Sequence, residues 1–136
     1  MLRTLAMITL ALAPLTGWAE AAEPALVTVR TEGSTTRLKA GETGQLKLQL
    51  LAAPGAHLNR EAPVKVQLSS RQASFDRDRL TLADAQLEGD GARFEVRFTP
   101  AAQGPITLEA SLSFFACTAS TCARQSRRVS LAVEVQ

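Results

Sequence analysis

From residue 25 onward the chain alternates. Residues 25–30 (ALVTVR) and 45–50 (QLKLQL) carry an apolar side chain at every second position, with Leu46, Leu48 and Leu50 on one face and Gln45, Lys47 and Gln49 on the other. A period of two is that of a strand with one buried face. The same period recurs in Val64, Val66 and Leu68 and in Phe94, Val96 and Phe98 against Arg93, Glu95 and Arg97. It recurs again in Ile106, Leu108, Ala110 and Leu112 against Thr107, Glu109 and Ser111, and finally in Val129, Leu131, Val133 and Val135. Residues 41–44, Pro54-Gly55, Asp90-Gly91, Pro100 and Gly104-Pro105 supply turns between these runs. Residues 80–87 (LTLADAQL) fit a short strand or a helical turn. About seven short antiparallel strands separated by turns predict an all-β, immunoglobulin-like antiparallel β-sandwich. The buried Trp and widely spaced cysteines of antibody domains are missing, and a small barrel fits the same strand count.

The first residues read differently. Arg3, an apolar run over residues 5–15 and the small residues Gly17, Ala19 and Ala21 follow the order of a secretory signal peptide, residues 1–21. The run is interrupted by Pro14 and falls short of the roughly 20 residues that span a bilayer. No Cys follows it for lipid attachment. The expectation is one exported domain, residues 22–136, periplasmic or secreted, without stable membrane insertion after cleavage and with a loosely held start over residues 20–27.

Composition narrows the function classes. Fifteen Lys and Arg against thirteen Asp and Glu give a net charge of +2, too even for nucleic-acid binding. The chain has no Tyr, and its one Trp, Trp18, belongs to the leader, so aromatic platforms for sugars or quaternary amines lack their usual residues. His57 is the only histidine and reads as an exposed loop residue after Pro54-Gly55. Ser126 and Ser130 therefore have no triad to join. A site of Cys117, Cys122 and His57 has ligand types that suit zinc or copper but lacks a fourth group. Asp76, Asp78 and Asp84 match no calcium-loop template and read as a solvated loop. No cofactor and no metal are expected.

What remains is Cys117-Thr-Ala-Ser-Thr-Cys122, a spacing that fits a hairpin with a four-residue loop. If Cys117 faces Cys122, then Ala110 faces Val129, Leu108 faces Leu131 and Ile106 faces Val133, so apolar meets apolar throughout. The opposite face then pairs Ser111 with Arg128 and Glu109 with Ser130. A slip of one residue would turn the apolar set outward, so the hydrophobic pattern supports this register independently of the cysteines. Both cysteines fall in the outward set, near Arg124, Arg127 and Arg128. Two readings follow. One is a structural staple, although a bridge closing so short a loop is worth only about 2 kcal/mol in the chain-entropy account, against about 4 kcal/mol for a loop of about 60 residues. The other is a thiol–disulfide exchange site whose thiolate is favoured by the nearby arginines. Spacing alone does not separate them.

The alternating strand, cysteine-bracketed loop and returning strand over residues 107–135 resemble the N-terminal periplasmic domain of the thiol–disulfide interchange protein DsbD. The stretch Ala56-His57-Leu58-Asn59-Arg60, followed by the strand at residues 64–68, is similar to that domain's early hairpin. The resemblance implies an immunoglobulin-like fold and a redox-active pair, Cys117 and Cys122, that exchanges electrons with thioredoxin-like or other periplasmic thiol–disulfide partners. In that family a cap loop shields the cysteines; the corresponding stretch here, residues 76–91, contains no aromatic. The alternative is a non-enzymatic binding or assembly module whose disulfide pins the last hairpin.

Overall fold

The computed structural model describes residues 25–136, so the signal-peptide reading of residues 1–21 lies outside the described residues. Two sheets face each other. The first contains β1 (Val27–Arg30), β3 (Gly44–Ala52), β9 (Gly91–Pro100) and β6 (Ala73–Phe75) in that spatial order, with β8 (Gln86–Glu88) also paired to β9. The second runs β2 (Arg37–Leu38), β11 (Cys122–Val135), β10 (Gly104–Cys117), β5 (Lys65–Ser69) and β7 (Arg79–Leu80), with β4 (His57–Leu58) also on β10. All pairings are antiparallel except β2 with β11. The two sheets share no strand, which makes the fold an immunoglobulin-like sandwich and not a barrel.

The six longest strands are the six alternating runs, and their apolar positions fill the space between the sheets. Leu46, Leu48 and Leu50 of β3 and Phe94, Val96 and Phe98 of β9 meet Val66, Leu68, Ile106, Leu108, Leu112 and Phe114 from the opposite sheet. Phe94, Phe98 and Phe114 are fully buried and contribute the largest side chains of this core. The β10–β11 register pairs Ala110 with Val129, Leu108 with Leu131, Ile106 with Val133, Ser111 with Arg128 and Glu109 with Ser130, as alternation requires.

Three local readings change. The start is held sooner than expected: Val27 is fully buried and β1 pairs with β3 along its length. Residues 80–87 divide between both alternatives, with β7 ending at Leu80, a 3-10 turn over Leu82–Asp84, and β8 starting at Gln86. Asp84 is occupied as the cap of that turn, accepting from the Thr81 N–H at 2.9 Å while pairing with Arg77. Five further strands of two or three residues bring the total to eleven, because short edge segments pair without a hydrophobic period of their own.

Close packing leaves no room for a side chain at Gly91, where a Cβ would sit 1.9 Å from the Leu50 carbonyl oxygen. Gly91→Ala is therefore expected to cost at least about 2 kcal/mol in urea unfolding, whereas Leu87→Ala, at a position 51% exposed, should stay within about 0.5 kcal/mol. Equal effects at the two sites would contradict the packing described.

Candidate functional site

The last hairpin turns tightly at its tip. The Thr118 N–H donates to the Thr121 carbonyl at 2.7 Å, and the Thr118 hydroxyl lies 3.2 Å from that of Thr121 and accepts from the Thr121 N–H at 3.3 Å. Residues 118 and 121 thus form a hydrogen-bonded pair, which makes the adjacent pair, Cys117 and Cys122, the closer non-hydrogen-bonded kind. Their Cα atoms are 4.0 Å apart and the two sulfurs are bonded.

The two cysteines do not share one environment. Cys122 is exposed, as its outward register position predicts, but Cys117 is only 4% exposed. The cause is a segment on the far side of β10. After the Pro54-Gly55 turn, Ala56 and Leu58 are buried while His57 between them points outward, and His57 becomes the cross-strand partner of Cys117. Cys117 therefore lies between Cys122 on one neighbouring strand and His57 on the other. This segment is fastened on both sides. Asn59 N–H donates to the Phe115 carbonyl at 2.8 Å, Leu58 N–H donates to the Asp90 carbonyl at 2.8 Å, and the Arg60 guanidinium donates to the Gly89 carbonyl. Residues 57–61 thereby tie the end of one sheet to the β8–β9 turn of the other, closing the sandwich at the cysteine end.

Between this strap and the hairpin tip lies an open cleft of about 680 Å³, bordered by both cysteines, His57, Arg60, Glu61 and Asp90. Its charged groups are one base, Arg60, and two acids, Glu61 and Asp90, so it holds no concentration of positive charge. The cations expected beside the cysteines are elsewhere. Arg124 donates to the Ser113 hydroxyl at 3.2 Å, and Arg127 turns to Gln125 Oε1 at 2.6 Å, a side chain buried on the inner face opposite Phe114. Neither borders the cleft, nor does Arg128. The reason is register: Arg127 is an odd-numbered, inward position, and the other two stand along β11 away from its first residue. His57, on β4, and Arg60, just after it, border the cleft instead. The alternation of Ala56, His57 and Leu58 was the available sequence signal, too short to read as a strand alone.

The arrangement presents one exposed cysteine, Cys122, bonded to one buried cysteine, Cys117. Among the described residues, no group of three or more His, Cys, Asp or Glu is placed to hold a metal ion.

No family model and no curated protein matches the chain. The chain is similar at low identity to several solved structures, three of them as follows. Domains 4 and 5 of the S-layer protein SbsC show 16% identity and a TM-score of 0.46 over 85% of this chain and 54% of that one, so the chain spans about half of that structure. A lipoprotein from Bacteroides thetaiotaomicron shows 14% identity and a TM-score of 0.49, with 85% and 83% covered. A conjugative transposon lipoprotein from Bacteroides eggerthii shows 13% identity and a TM-score of 0.40, with 76% and 95% covered. At these levels nothing about function is transferred from them.

The unequal burial predicts unequal reactivity. In the reduced, folded protein, iodoacetamide should modify Cys122 well before Cys117 when the adducts are located by peptide mass spectrometry; equal rates would contradict the shielding by β4. Replacing both cysteines by Ser should leave a folded sandwich destabilised by no more than about 2 kcal/mol in urea unfolding.

Proposed function

We propose that the domain is an exported thiol–disulfide exchange module of the DsbD N-terminal type, working in the periplasm or outside the cell with thioredoxin-like proteins. The observation that carries this reading is the asymmetry of the pair: an exposed Cys122 bonded to a buried Cys117 at the mouth of an open cleft. Exchange requires one sulfur that a partner thiolate can reach and another that leaves. A bridge whose role was stability would do more closing a long loop than fastening a turn that Thr118 and Thr121 already hold. The strap over residues 57–61 and Asp90 border the same cleft as the two cysteines.

The reaction balances with a dithiol partner. A partner thiolate attacks the Cys122 sulfur, the Cys117–Cys122 bond breaks, and Cys117 leaves as a thiolate beside His57. The partner's second thiolate then attacks its own sulfur in the mixed disulfide, and Cys122 leaves. The partner dithiol is oxidised by two electrons and the domain's disulfide is reduced by the same two. The reverse sequence returns them to a partner disulfide.

The test is a trapping experiment with a thioredoxin whose second active-site cysteine is replaced by Ser, so that it attacks but does not resolve. Incubated with the oxidised domain, it should form a mixed disulfide that dithiothreitol dissolves and that peptide mapping locates on Cys122. No adduct, under conditions where the same thioredoxin captures a small-molecule disulfide, would favour the binding or assembly module with a structural bridge.

A further inference from the structure

The strand that begins at Cys122 leaves one of its edges open. β11 pairs with β10 from end to end, but on its other side β2 meets only Glu134 and Val135. Among the described residues no strand pairs with residues 122–133 on that side. Which backbone groups face the opening follows from the hairpin tip. Because residues 118 and 121 form a hydrogen-bonded pair, the odd-numbered residues of β11 exchange both their bonds with β10, and the even-numbered ones turn N–H and C=O toward the free edge. The bonds from Glu134 N–H to Thr36 and from Gln136 N–H to Leu38, each 2.9 Å, follow the same parity. The Ser126 carbonyl is already occupied by Arg127 Nη1 at 2.8 Å. Arg128, Ser130 and Ala132 form a continuous open run.

Side chains on either face of this edge define what fits it. On the outer face stand Arg124 and Arg128. Arg128 borders a shallow groove of about 500 Å³ with Lys65, Ser111, Ser113 and Ser126, and no carboxylate lines that groove. The nearest acid by register is Glu109, opposite Ser130. On the inner face Val129 and Leu131 are only half-buried, although their partners Ala110 and Leu108 on β10 are 2% and 1% exposed. An added strand therefore gains backbone bonds, covers two half-open apolar side chains with alternate residues, and sets its other residues beside arginines.

A second copy of the chain brings no carboxylate to this edge, since its edge-facing positions from 124 to 132 are Arg124, Ser126, Arg128, Ser130 and Ala132. Antiparallel pairing of two such edges centred on Ser126 sets Arg124 against Arg128 twice, centring on Arg128 opposes two Arg128 side chains, and centring on Arg127 sets both arginines against serines, so no register within this run gives either arginine an acid. We infer that the free edge of β11 between Arg124 and Ala132 docks an extended segment of another protein as an additional strand, one in which carboxylates alternate with apolar residues. This goes beyond the exchange chemistry and stands without it. Since Cys122 opens the same strand, a segment docked there runs toward the exposed cysteine.

The experiment uses the mature exported protein and a short fluorescein-labelled peptide alternating Glu and Val, followed by fluorescence anisotropy. Saturable binding is expected, with none for a peptide alternating Lys and Val. Arg128→Glu and Ser130→Pro should each weaken binding at least about tenfold, the proline because it removes an edge-facing N–H while sparing the bonds to β10. A version of the peptide N-methylated at alternate residues tests the same bonds without altering the protein, and should not bind. Absence of saturable binding, or binding that survives both N-methylation and Ser130→Pro, would overturn the inference, the latter by showing charge attraction without strand addition.

Discussion

The antiparallel pairing of β10 with β11 is the interaction on which the rest of the molecule depends. It is fourteen residues long on each strand and joins an inner face that is apolar except at Gln125 and Arg127 to an outer face rich in serines and charges. Because side chains alternate strictly, the register that buries Ile106, Leu108, Ala110 and Val133 also brings Cys117 opposite Cys122. The disulfide is thus a consequence of the register and not its cause. Phe114, fully buried near the same end, ties the hairpin to the core just before the tip.

What distinguishes the two cysteines comes from outside the hairpin. β4 has only two residues, yet it pairs with the end of β10 that β5 does not reach and carries His57 to Cys117. Leu58 and the following Asn59 hydrogen-bond to Asp90 and Phe115, which bridges the two sheets beside Cys117. On the other flank, β2 covers β11 only at its last residues, and Cys122 stays open. One residue of each pair of neighbours is therefore protected, the other presented. The difference in exposure between the two cysteines traces to two short edge strands, β4 and β2.

Those short strands mark the limit of what the sequence revealed. Leu46, Leu48 and Leu50, or Phe94, Val96 and Phe98, announce strands because each repeats a period over enough residues to be recognised. The pairing of Ala110 with Val129 was legible for the same reason. His57-Leu58 and Arg37-Leu38 carry no period, and their positions are fixed by contacts with β10 and β11, far away in the chain. Cys117 consequently reads as outward, which its register is, and as exposed, which it is not. Register puts Arg127, near Cys122 in sequence, on the inner face, whereas Arg60, distant in sequence, borders the cleft.

The reduction potential of the Cys117–Cys122 bond tests the proposed exchange most directly, by equilibrating residues 22–136 in glutathione redox buffers and counting alkylated cysteines by mass spectrometry. An exchange site predicts a potential near or above about −230 mV, within reach of periplasmic and thioredoxin-like partners. A potential below about −300 mV would contradict the account and leave the bond as a fastening of the hairpin.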